Sequence, residues 1–330
     1  MLSSEGYQPF TPFLVIILAI LIDLIFGEPP DPVHPTVWMG KLIALIKPKA
    51  KGKSPKAEKF KGLLLCLFVT ASFALPAYGI LYLVRQFFGV WAYVAVAAVM
   101  LKMTFSIRGM SHYTMPIAKA IETGNTDEAR RWLPFIVRRN PETLSQGQII
   151  SAAVESIGES TVDGITSPLF YFALFGVPGA VAFRVINTLD SMVGYKDREH
   201  VNIGWFSAKL DTIVNYVPAR LTALLMILAA VILHKDWRGS WRVLKRDKSK
   251  TESPNAGWPM SAMAGALGVQ LEKPGFYRLG NGKITGLSPE HIPQALRLMK
   301  ATTLLFMIII VFPIIALLVY WGFSQLQLCF

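Results

Sequence analysis

Long apolar runs constrain this chain of 330 residues more than any other feature of its sequence. Hydrophobic residues make up 53% of the chain and charged residues only 16%, against about a quarter charged in soluble globular proteins. Five apolar runs approach or reach the length of a helix that crosses a bilayer. They are Phe10–Phe26, Gly62–Val84, Gly89–Phe105, Ile213–Leu233 and Ala301–Trp321, and a sixth, weaker run is Leu169–Ile186. We therefore predict an integral membrane protein.

The first apolar run lacks the marks of a cleavable signal peptide. No lysine or arginine precedes it, and Glu5 is the only charged side chain there. Gly27-Glu28-Pro29-Pro30 follows it instead of a small-residue cleavage site. We expect this run to be retained as a span.

The net charge of +12 is concentrated in two basic clusters. One lies within Lys47–Lys61 and the other within Lys235–Lys250, and both adjoin apolar runs, as the positive-inside rule expects of cytoplasmic loops. Anionic lipid headgroups would suit the same loops. The sequence shows no aromatic-basic module for nucleic acid. We expect the lipid bilayer as a partner and no nucleic acid.

Two topologies remain open, and they differ in how Leu169–Ile186 is treated. If this run crosses the membrane, both basic clusters lie inside and the polar stretch Asn187–Asp211 lies outside. Gly176-Val177-Pro178-Gly179 in its middle favours a helix break instead, so that two half-helices enter and return. The polar stretch is then inside and the second basic cluster outside. In both cases we expect a multi-pass protein of the cell membrane, with a polar site open to the cytoplasm.

These patterns predict an all-α polytopic membrane protein with about five transmembrane helices and a helical, loop-rich cytoplasmic part. We expect one integral membrane domain over residues 1–330, with main extramembrane segments at 106–166 and 234–300. No strand pattern of any length is apparent in the sequence.

Two extramembrane helices have recognisable starts. One is expected to begin at Pro141 and to run through Val154–Asp163. The other has Asn125 or Thr126 as its N-cap. Cys66, Cys329 and five scattered histidines give no disulfide framework and no zinc spacing.

The stretch Val154–Asp163 carries the clearest functional pattern. Glu155, Glu159 and Asp163 are spaced i, i+4, i+8 and share one face of a helix. Like charges in one stripe repel each other, so a stable fold needs a positive partner: a divalent metal, a metal–nucleotide complex or an arginine. A solvated acidic helix face is the alternative interpretation.

Asp23 lies near the end of the first apolar run and leads into a segment with four prolines. A carboxylate beside hydrocarbon is usually functional or paired, and helix-end capping is the alternative. The prolines stiffen the segment, which would hold Glu28 and His34 in fixed positions.

Two segments combine an arginine, an amide and a carboxylate beside an apolar run. The residues are Arg184, Asn187 and Asp190 in one segment, and Asp211, Asn215 and Arg220 in the other. Interhelical salt bridges would explain them. A site that holds phosphate with arginine and metal with aspartate would explain them as well. Because unpaired charges at span ends cost several kcal/mol, we expect both segments to line one polar cavity with the acidic stripe.

The segment Ser253–Gly268 is rich in small residues. Ser253, Asn255 and Gly257 belong to a turn signal, and turn amides followed by a helix N-terminus can bind an anion. Neither nucleotide fingerprint, GxxxxGK[ST] or GxGxxG, occurs there. A structural glycine-rich turn is the alternative.

Together, five segments resemble the CbiB/CobD-type adenosylcobinamide-phosphate synthases. They occur in the family's order from about residue 20 to 282, as DLIFGEPPDPVHPTVWMGKLI, ESxxExxVDGxxSPLFY, NTLDSMVGY, VNYVPARLT and SPNAGWPMSAMAGALGVQLEKPGFYRLG. Two positions depart from the family pattern. Ser160 follows Glu159 where asparagine is expected, and Thr212 follows Asp211 where a second aspartate is expected.

The resemblance implies a membrane-embedded enzyme of cobalamin biosynthesis. Its expected reaction uses ATP and Mg²⁺ to join adenosylcobyric acid to an aminopropanol or its phosphate ester. On this basis the metal ligands are Glu155, Glu159 and Asp163, the phosphate clamps are Arg184 and Arg220, and the acceptor of the amine proton is Asp190 or Asp211. The nucleotide- or phosphate-binding set is Ser253, Asn255, Gly257, Asn187 and Asn215.

A secondary transporter of a corrinoid or an anionic solute is the alternative function. Broken apolar segments and charged residues within spans would suit it, whereas the sequence shows no internal repeat. A membrane sensor or scaffold without chemistry is a third interpretation.

Overall fold

The computed structural model describes residues 9–52 and 54–321, so Glu5, Lys53 and Cys329 of the sequence analysis lie outside it. Helices dominate the described residues. In chain order they are α1 (Thr11–Phe26), α2 (Pro35–Ile46), α3 (Pro55–Lys102), α4 (Ile107–Glu122), α5 (Thr126–Trp132), α6 (Gln146–Thr161), α7 (Ser167–Val193), α8 (Trp205–Val214), α9 (Tyr216–Ile232), α10 (Trp237–Asp247), α11 (Gly257–Leu267), α12 (His291–Phe306) and α13 (Phe312–Tyr320).

The membrane character predicted from the sequence is supported by the helices. Three segments are long and apolar enough to span a bilayer: Pro55–Glu122, Gln146–Val193 and His291–Tyr320. A fourth results if α8 and α9, separated only by Asn215, count as one bent span, and α1 is apolar but shorter. The described residues therefore indicate a multi-pass membrane protein, while the predicted count of five spans is not confirmed.

The chain forms two compact units. Unit 1 comprises Met1–Ser106, Pro168–Ile213 and Ile308–Phe330, and unit 2 comprises Ile107–Ser167 and Val214–Met307. Unit 2 contains almost all of the two segments that were expected to be extramembrane.

Within unit 1, the predicted break in the sixth apolar run is confirmed at Gly176. This residue has φ 66° and ψ −162° inside α7, a conformation that is essentially restricted to glycine. The rings of Tyr171 and Phe183 stack with centroids 5.4 Å apart, although a continuous helix would separate twelve positions by about 18 Å. The chain therefore folds back at Gly176 into two antiparallel half-helices.

A matching break divides α3. Gly89 has φ 79° and ψ −177°, close to the angles at Gly176. Because backbone dihedral angles fix the local path, the chain changes direction here as well. The Arg85 guanidinium lies 5.7 Å from the centre of the Tyr93 ring. The boundary between two of the apolar runs in the sequence thus coincides with a break in the helix.

In unit 2, two helix starts follow from capping side chains. Asn125 accepts a hydrogen bond from the Glu128 backbone N–H at 3.1 Å, which makes it the N-cap of α5. Ser145 and Gln148 form a reciprocal capping box at the start of α6. The prediction that this helix begins at Pro141 is wrong, because Pro141–Thr143 forms a separate 3₁₀ turn.

Unit 2 also contains a short β-hairpin that the sequence analysis did not predict. Strands β1 (Gln270–Lys273) and β2 (Tyr277–Gly280) pair antiparallel, with Leu271 opposite Leu279. Both leucines are fully buried, so two side chains anchor the hairpin on the core. Four-residue strands are too short to show an alternating pattern in sequence.

Candidate functional site

Glu155 lies in a buried hydrogen-bond cluster in unit 2. It is on α6, is 2% exposed, and forms an ion pair with both terminal nitrogens of Arg139. Ser151 donates to Glu155 Oε1 at 2.7 Å, and the Tyr277 hydroxyl donates to Oε2 at 2.6 Å. Of the three positive partners that the stripe would accept, the fold supplies an arginine here.

The hairpin completes this cluster. Arg139 also donates to the Glu272 carbonyl at 3.1 Å, and the Glu272 backbone N–H donates to Ser151 Oγ at 2.8 Å. Burial together with the Glu155 charge raises the pKa of Tyr277, so its phenol stays protonated as a donor. Burial alone would lower the pKa of Arg139, but the Glu155 carboxylate outweighs it and the pKa is raised.

The acidic stripe is therefore divided in its environment. Glu155 is enclosed, Glu159 is exposed one turn later, and Asp163 is half-buried. Asp163 belongs to a π-helical turn, Val162–Thr166, that joins α6 to α7. Such turns are rare in proteins overall, but they occur often at functional sites. Within the stripe, Glu159 is thus the most exposed carboxylate and Glu155 the most enclosed.

A magnesium role for the stripe needs further ligands from outside it. In the part of the chain that the structure describes, no group of three or more His, Cys, Asp or Glu residues could hold a metal ion. Mg²⁺ commonly takes one or two carboxylates and completes its shell with water and substrate phosphates. The two accessible carboxylates fit that pattern, and the metal assignment stays a prediction.

Arg220 lies in a second cluster of unit 2, which is cationic and aromatic. Its guanidinium lies 3.4 Å from the centre of the Tyr216 ring and 4.8 Å from that of Trp258. The Lys248 ammonium lies 4.5 Å from the same Trp258 ring. Arg220 also donates to Asn255 Oδ1 at 2.9 Å. The contact joins two sequence motifs that lie 35 positions apart.

The turn before α11 is built as the sequence indicated. Ser253 is exposed, and its hydroxyl accepts the backbone N–H groups of Asn255 and Ala256 at 3.3 Å each. Asn255 is 4% exposed. Gly257 is required sterically, because a Cβ there would lie 2.2 Å from the Lys248 carbonyl oxygen. The glycine thus lets the Lys248 backbone approach the start of α11.

The second cluster holds positive charge that no nearby carboxylate neutralises. Among the described residues, neither Arg220 nor Lys248 forms an ion pair with an acidic side chain. Two cations on one aromatic ring, beside the Ser253–Gly257 turn, form an environment that suits an anion. Phosphate oxygens are the matching ligand chemistry.

Asn215 has a structural position between α8 and α9. It is 1% exposed and accepts a hydrogen bond from the Ser167 hydroxyl at 2.6 Å. A nearby bond of 2.7 Å joins the hydroxyls of Thr166 and Thr222. This pairing places Asn215 in the packing of unit 2, and its predicted ligand role stays a prediction.

In unit 1, the fold brings three of the predicted site residues together. Arg184 donates from Nε to the Thr104 carbonyl at 2.8 Å and from Nη1 to Asn187 Oδ1 at 3.4 Å. Asn187 in turn donates to Asp211 Oδ1 at 3.3 Å. The arginine, amide and carboxylate form one chain of hydrogen bonds. Asp190 lies one turn after Asn187 and is half-buried.

Unit 1 also encloses an ionic network around Lys102. Its ammonium lies 3.0 Å from Asp23 and 2.9 Å from Glu28, and both Asp23 and Lys102 are buried. Thr36 donates its backbone N–H to His34 Nδ1, so Nε2 carries the proton that is shared with Glu28 at 3.0 Å. Burial alone would raise the pKa of Glu28, but His34 and Lys102 lower it to about 2. Asp23 is therefore paired.

Several of these residues were not singled out from the sequence. Arg139 and Lys102 neutralise carboxylates that the sequence did flag, and Lys248 and Trp258 flank a predicted turn. Arg139 carried a usable signal, since it follows another arginine shortly before the acidic helix. Tyr277 carried none, because its role depends on the hairpin. The predicted cavity that would combine all three groups joins residues of both units and stays a prediction.

Comparison with known proteins identifies the family. A family profile described as "CobD/Cbib protein" matches residues 16–299. A "Probable cobalamin biosynthesis protein CobD" of Methanothermobacter thermautotrophicus is 43% identical over 297 residues, 88% of this chain and 94% of the relative. No solved structure matches the chain.

Two further relatives give the same result. A "Cobalamin biosynthesis protein CobD" of Dehalococcoides mccartyi is 40% identical and covers 87% of this chain and 92% of the relative. A "Probable cobalamin biosynthesis protein CobD" of Thermoplasma volcanium is 38% identical and covers 92% and 98%. With the sequence motifs on both clusters and the profile over most of its length, this chain belongs to the CobD/CbiB family of cobalamin biosynthesis.

Proposed function

We propose that this protein is an adenosylcobinamide-phosphate synthase, which joins adenosylcobyric acid to (R)-1-aminopropan-2-ol or its O-phosphate at the expense of ATP. Family membership supports a biosynthetic role with a corrinoid substrate. The observation that carries the ATP-dependent step is the unneutralised cationic cluster of Arg220 and Lys248 at Trp258. An enzyme that handles nucleotide phosphates needs such a place for negative charge.

The chemistry follows from the poor reactivity of a carboxylate. A carboxylate oxygen of adenosylcobyric acid attacks the γ-phosphorus of ATP, and ADP leaves. The amine nitrogen then attacks the activated acyl carbon, the C–N bond forms, and phosphate leaves with the former carboxylate oxygen. The amine loses a proton in this step. No nucleophilic serine or cysteine is required.

The residues of this chain fall into matching roles. Arg220 and Lys248 bind phosphate oxygens, and the Ser253–Gly257 turn positions them. Glu159 and Asp163 would offer oxygen ligands to Mg²⁺, and the metal would supply positive charge to stabilise the transferring phosphate. Glu155 has a structural role, because its carboxylate holds the Arg139 side chain in place.

Within unit 1, the residues suited to accept a proton from the amine are Asp211, held by Asn187, and Asp190 one turn away. Arg184 fixes Asn187 from the other side and offers a second positive group to a phosphate on the amine substrate.

A direct assay tests this function. Purified protein should consume ATP only when both the corrinoid acid and the amine are present, and mass spectrometry should find the amide product in equal amount. ATP hydrolysis that continues when either substrate is left out would contradict the proposal.

The folded-back half-helices at Gly176 favour the transporter alternative as a second candidate, since transporters often use discontinuous helices. Proteoliposomes separate the two. Uptake of labelled cobyric acid without ATP-dependent product would select the transporter.

The proposal places the site on the cytoplasmic side, where ATP is available. A cysteine in place of Lys56, an exposed residue within the first basic cluster, should resist an impermeant thiol reagent in intact cells and react after lysis. Cys66 and Cys329 are replaced in the background. Labelling in intact cells would reverse this orientation.

A further inference from the structure

The surface of α10 carries an unusual set of exposed side chains. Trp237 and Trp241 are 42% and 40% exposed, and they lie one turn apart on the helix. Arg238, Arg242 and Lys245 continue the same exposed arc. Around the helix axis, the two tryptophans lie side by side and the three basic residues come after them.

The opposite face of α10 is already occupied by the protein. Ser240 donates to the Ala262 carbonyl of α11 at 2.7 Å. A Cβ at Gly265 would lie 2.4 Å from the Gly239 carbonyl oxygen, so the two helices pack backbone to backbone. Asp247 is buried and accepts the Gly280 N–H at 2.8 Å. The core therefore fixes the orientation of α10 and directs the tryptophans away from unit 2.

The position of α10 in the chain relates it to the membrane. The candidate span that includes α9 ends at Ile232. His234, with φ 52°, turns the chain, and Asp236 caps α10 by accepting the Gly239 N–H at 2.7 Å. A helix that starts so soon after a span begins at the level of the lipid headgroups.

The charges on the arc are available to a partner. Arg238 and Lys245 lie over Trp237 and Trp241, at 4.9 and 4.8 Å from the ring centres. Among the described residues, neither of these two cations forms an ion pair with a carboxylate. Arg246 differs, since it is paired with Asp247 at 2.7 Å. Arg242 lies 3.8 Å from Asp236 in an exposed ion pair. The arc thus joins amphipathic rings to positive charge that Asp236 offsets only in part.

We propose that α10 lies in the membrane interface, with Trp237 and Trp241 inserted among the lipid headgroups and with Arg238, Arg242 and Lys245 bound to anionic lipid. Tryptophan is enriched at this depth because its ring is apolar and its N–H is polar. Basic residues on the flank of such a helix favour anionic over zwitterionic lipid. This role is independent of the proposed reaction.

The test uses the full chain in nanodiscs. A fluorophore is attached to a cysteine at position 241, with Cys66 and Cys329 replaced, and spin-labelled lipids act as quenchers. We expect strong quenching at 241, and stronger quenching by spin-labelled phosphatidylglycerol than by spin-labelled phosphatidylcholine. The control label is at Asp127 on α5, whose side chain is 84% exposed, and it should be quenched by iodide in water instead. If replacing Trp241 reduces the yield, position 245 one turn later gives the same comparison.

The charge contribution is measured by the ratio of the two lipid quenchers. Arg238→Gln should lower the preference for phosphatidylglycerol roughly fivefold, while Arg131→Gln, whose side chain is 80% exposed on α5, should leave it unchanged. Equal quenching of the labels at positions 241 and 127 by spin-labelled lipid would overturn the proposal. Quenching at position 241 that is the same for both lipid types, and that Arg238→Gln does not change, would also overturn it.

Discussion

Arg139 and Arg220 have the same side chain and opposite surroundings. Arg139 is paired with a buried carboxylate, to which Ser151 and Tyr277 also donate hydrogen bonds. Arg220 rests on aromatic rings and an amide, with no carboxylate partner among the described residues. A buried pair of charges resists removal of either partner, whereas an unpaired cation is ready to bind. The comparison separates an arginine paired with a buried carboxylate from one that has no carboxylate partner among the described residues.

The largest effect is expected from breaking the pair of the half-buried Arg139 and the buried Glu155. Arg139→Gln leaves Glu155 as a buried charge with fewer donors, and the free energy of unfolding should fall by about 3 kcal/mol or more. Thermal unfolding in detergent measures this loss. Arg131→Gln serves as the surface control and should change little. The double variant Arg139→Gln/Glu155→Gln should recover part of the loss, and an unchanged melting temperature in Arg139→Gln would show that the pair is not structural.

Asp247 extends the comparison to a carboxylate with two basic partners. Burial alone would raise its pKa, but Arg246, Lys250 and the Gly280 N–H lower it to about 2. Because the pKa is lower in the folded state, the ionised carboxylate stabilises the fold at pH values above the unfolded-state pKa near 4. This stabilisation is lost as the pH falls toward 2. We expect about 2 kcal/mol from this group. The difference in stability between wild type and Asp247→Asn should narrow from pH 5 to pH 2, and a constant difference would exclude this linkage.

Glu159 lies one turn after Glu155 and is the exposed carboxylate proposed to help bind the metal. Glu159→Gln retains the shape and removes an exposed charge, so stability should hold while turnover falls at least about tenfold, roughly 1.4 kcal/mol of barrier. High Mg²⁺ should restore part of the rate if the carboxylate helps to hold the metal. Wild-type kinetics in this variant would remove Glu159 from the metal site.

Arg220→Lys should produce the smallest effect. Lysine keeps the charge but loses the planar two-point grip of the guanidinium, and the KM for ATP or for the phosphorylated amine should rise roughly fivefold, about 1 kcal/mol. Arg131→Lys is the matched control. A lower melting temperature with unchanged kinetics would instead make Arg220 a structural contact with Asn255.

The sequence predicted those parts of the fold that depend on local patterns. The apolar runs, the glycine break at Gly176 and the N-cap at Asn125 follow from residues close together in the chain. The start of α6 was misplaced because Pro141 also suits a 3₁₀ turn, and the capping box at Ser145 decides the start.

The site could be predicted only in part. The chain of bonds from Arg184 through Asn187 to Asp211 and the contact of Arg220 with Asn255 connect residues that the sequence had singled out. The neutralisation of Glu155 could not be assigned, because it depends on Tyr277 and the Glu272 carbonyl, which only the folded hairpin brings to α6. Partners so far apart in the chain produce no regular spacing from which the sequence could predict their contact.

The reversal at Gly176 has a consequence for insertions and deletions. A turn made by one residue has no slack, so an added residue in the returning half of α7 would rotate every later side chain by about 100° around the helix axis. Arg184 would then point away from the Thr104 carbonyl, and Asn187 away from Asp211. The single glycine thus sets the rotational phase of the returning half-helix, and changes of length there should be far less tolerated than changes of side chain in the preceding half.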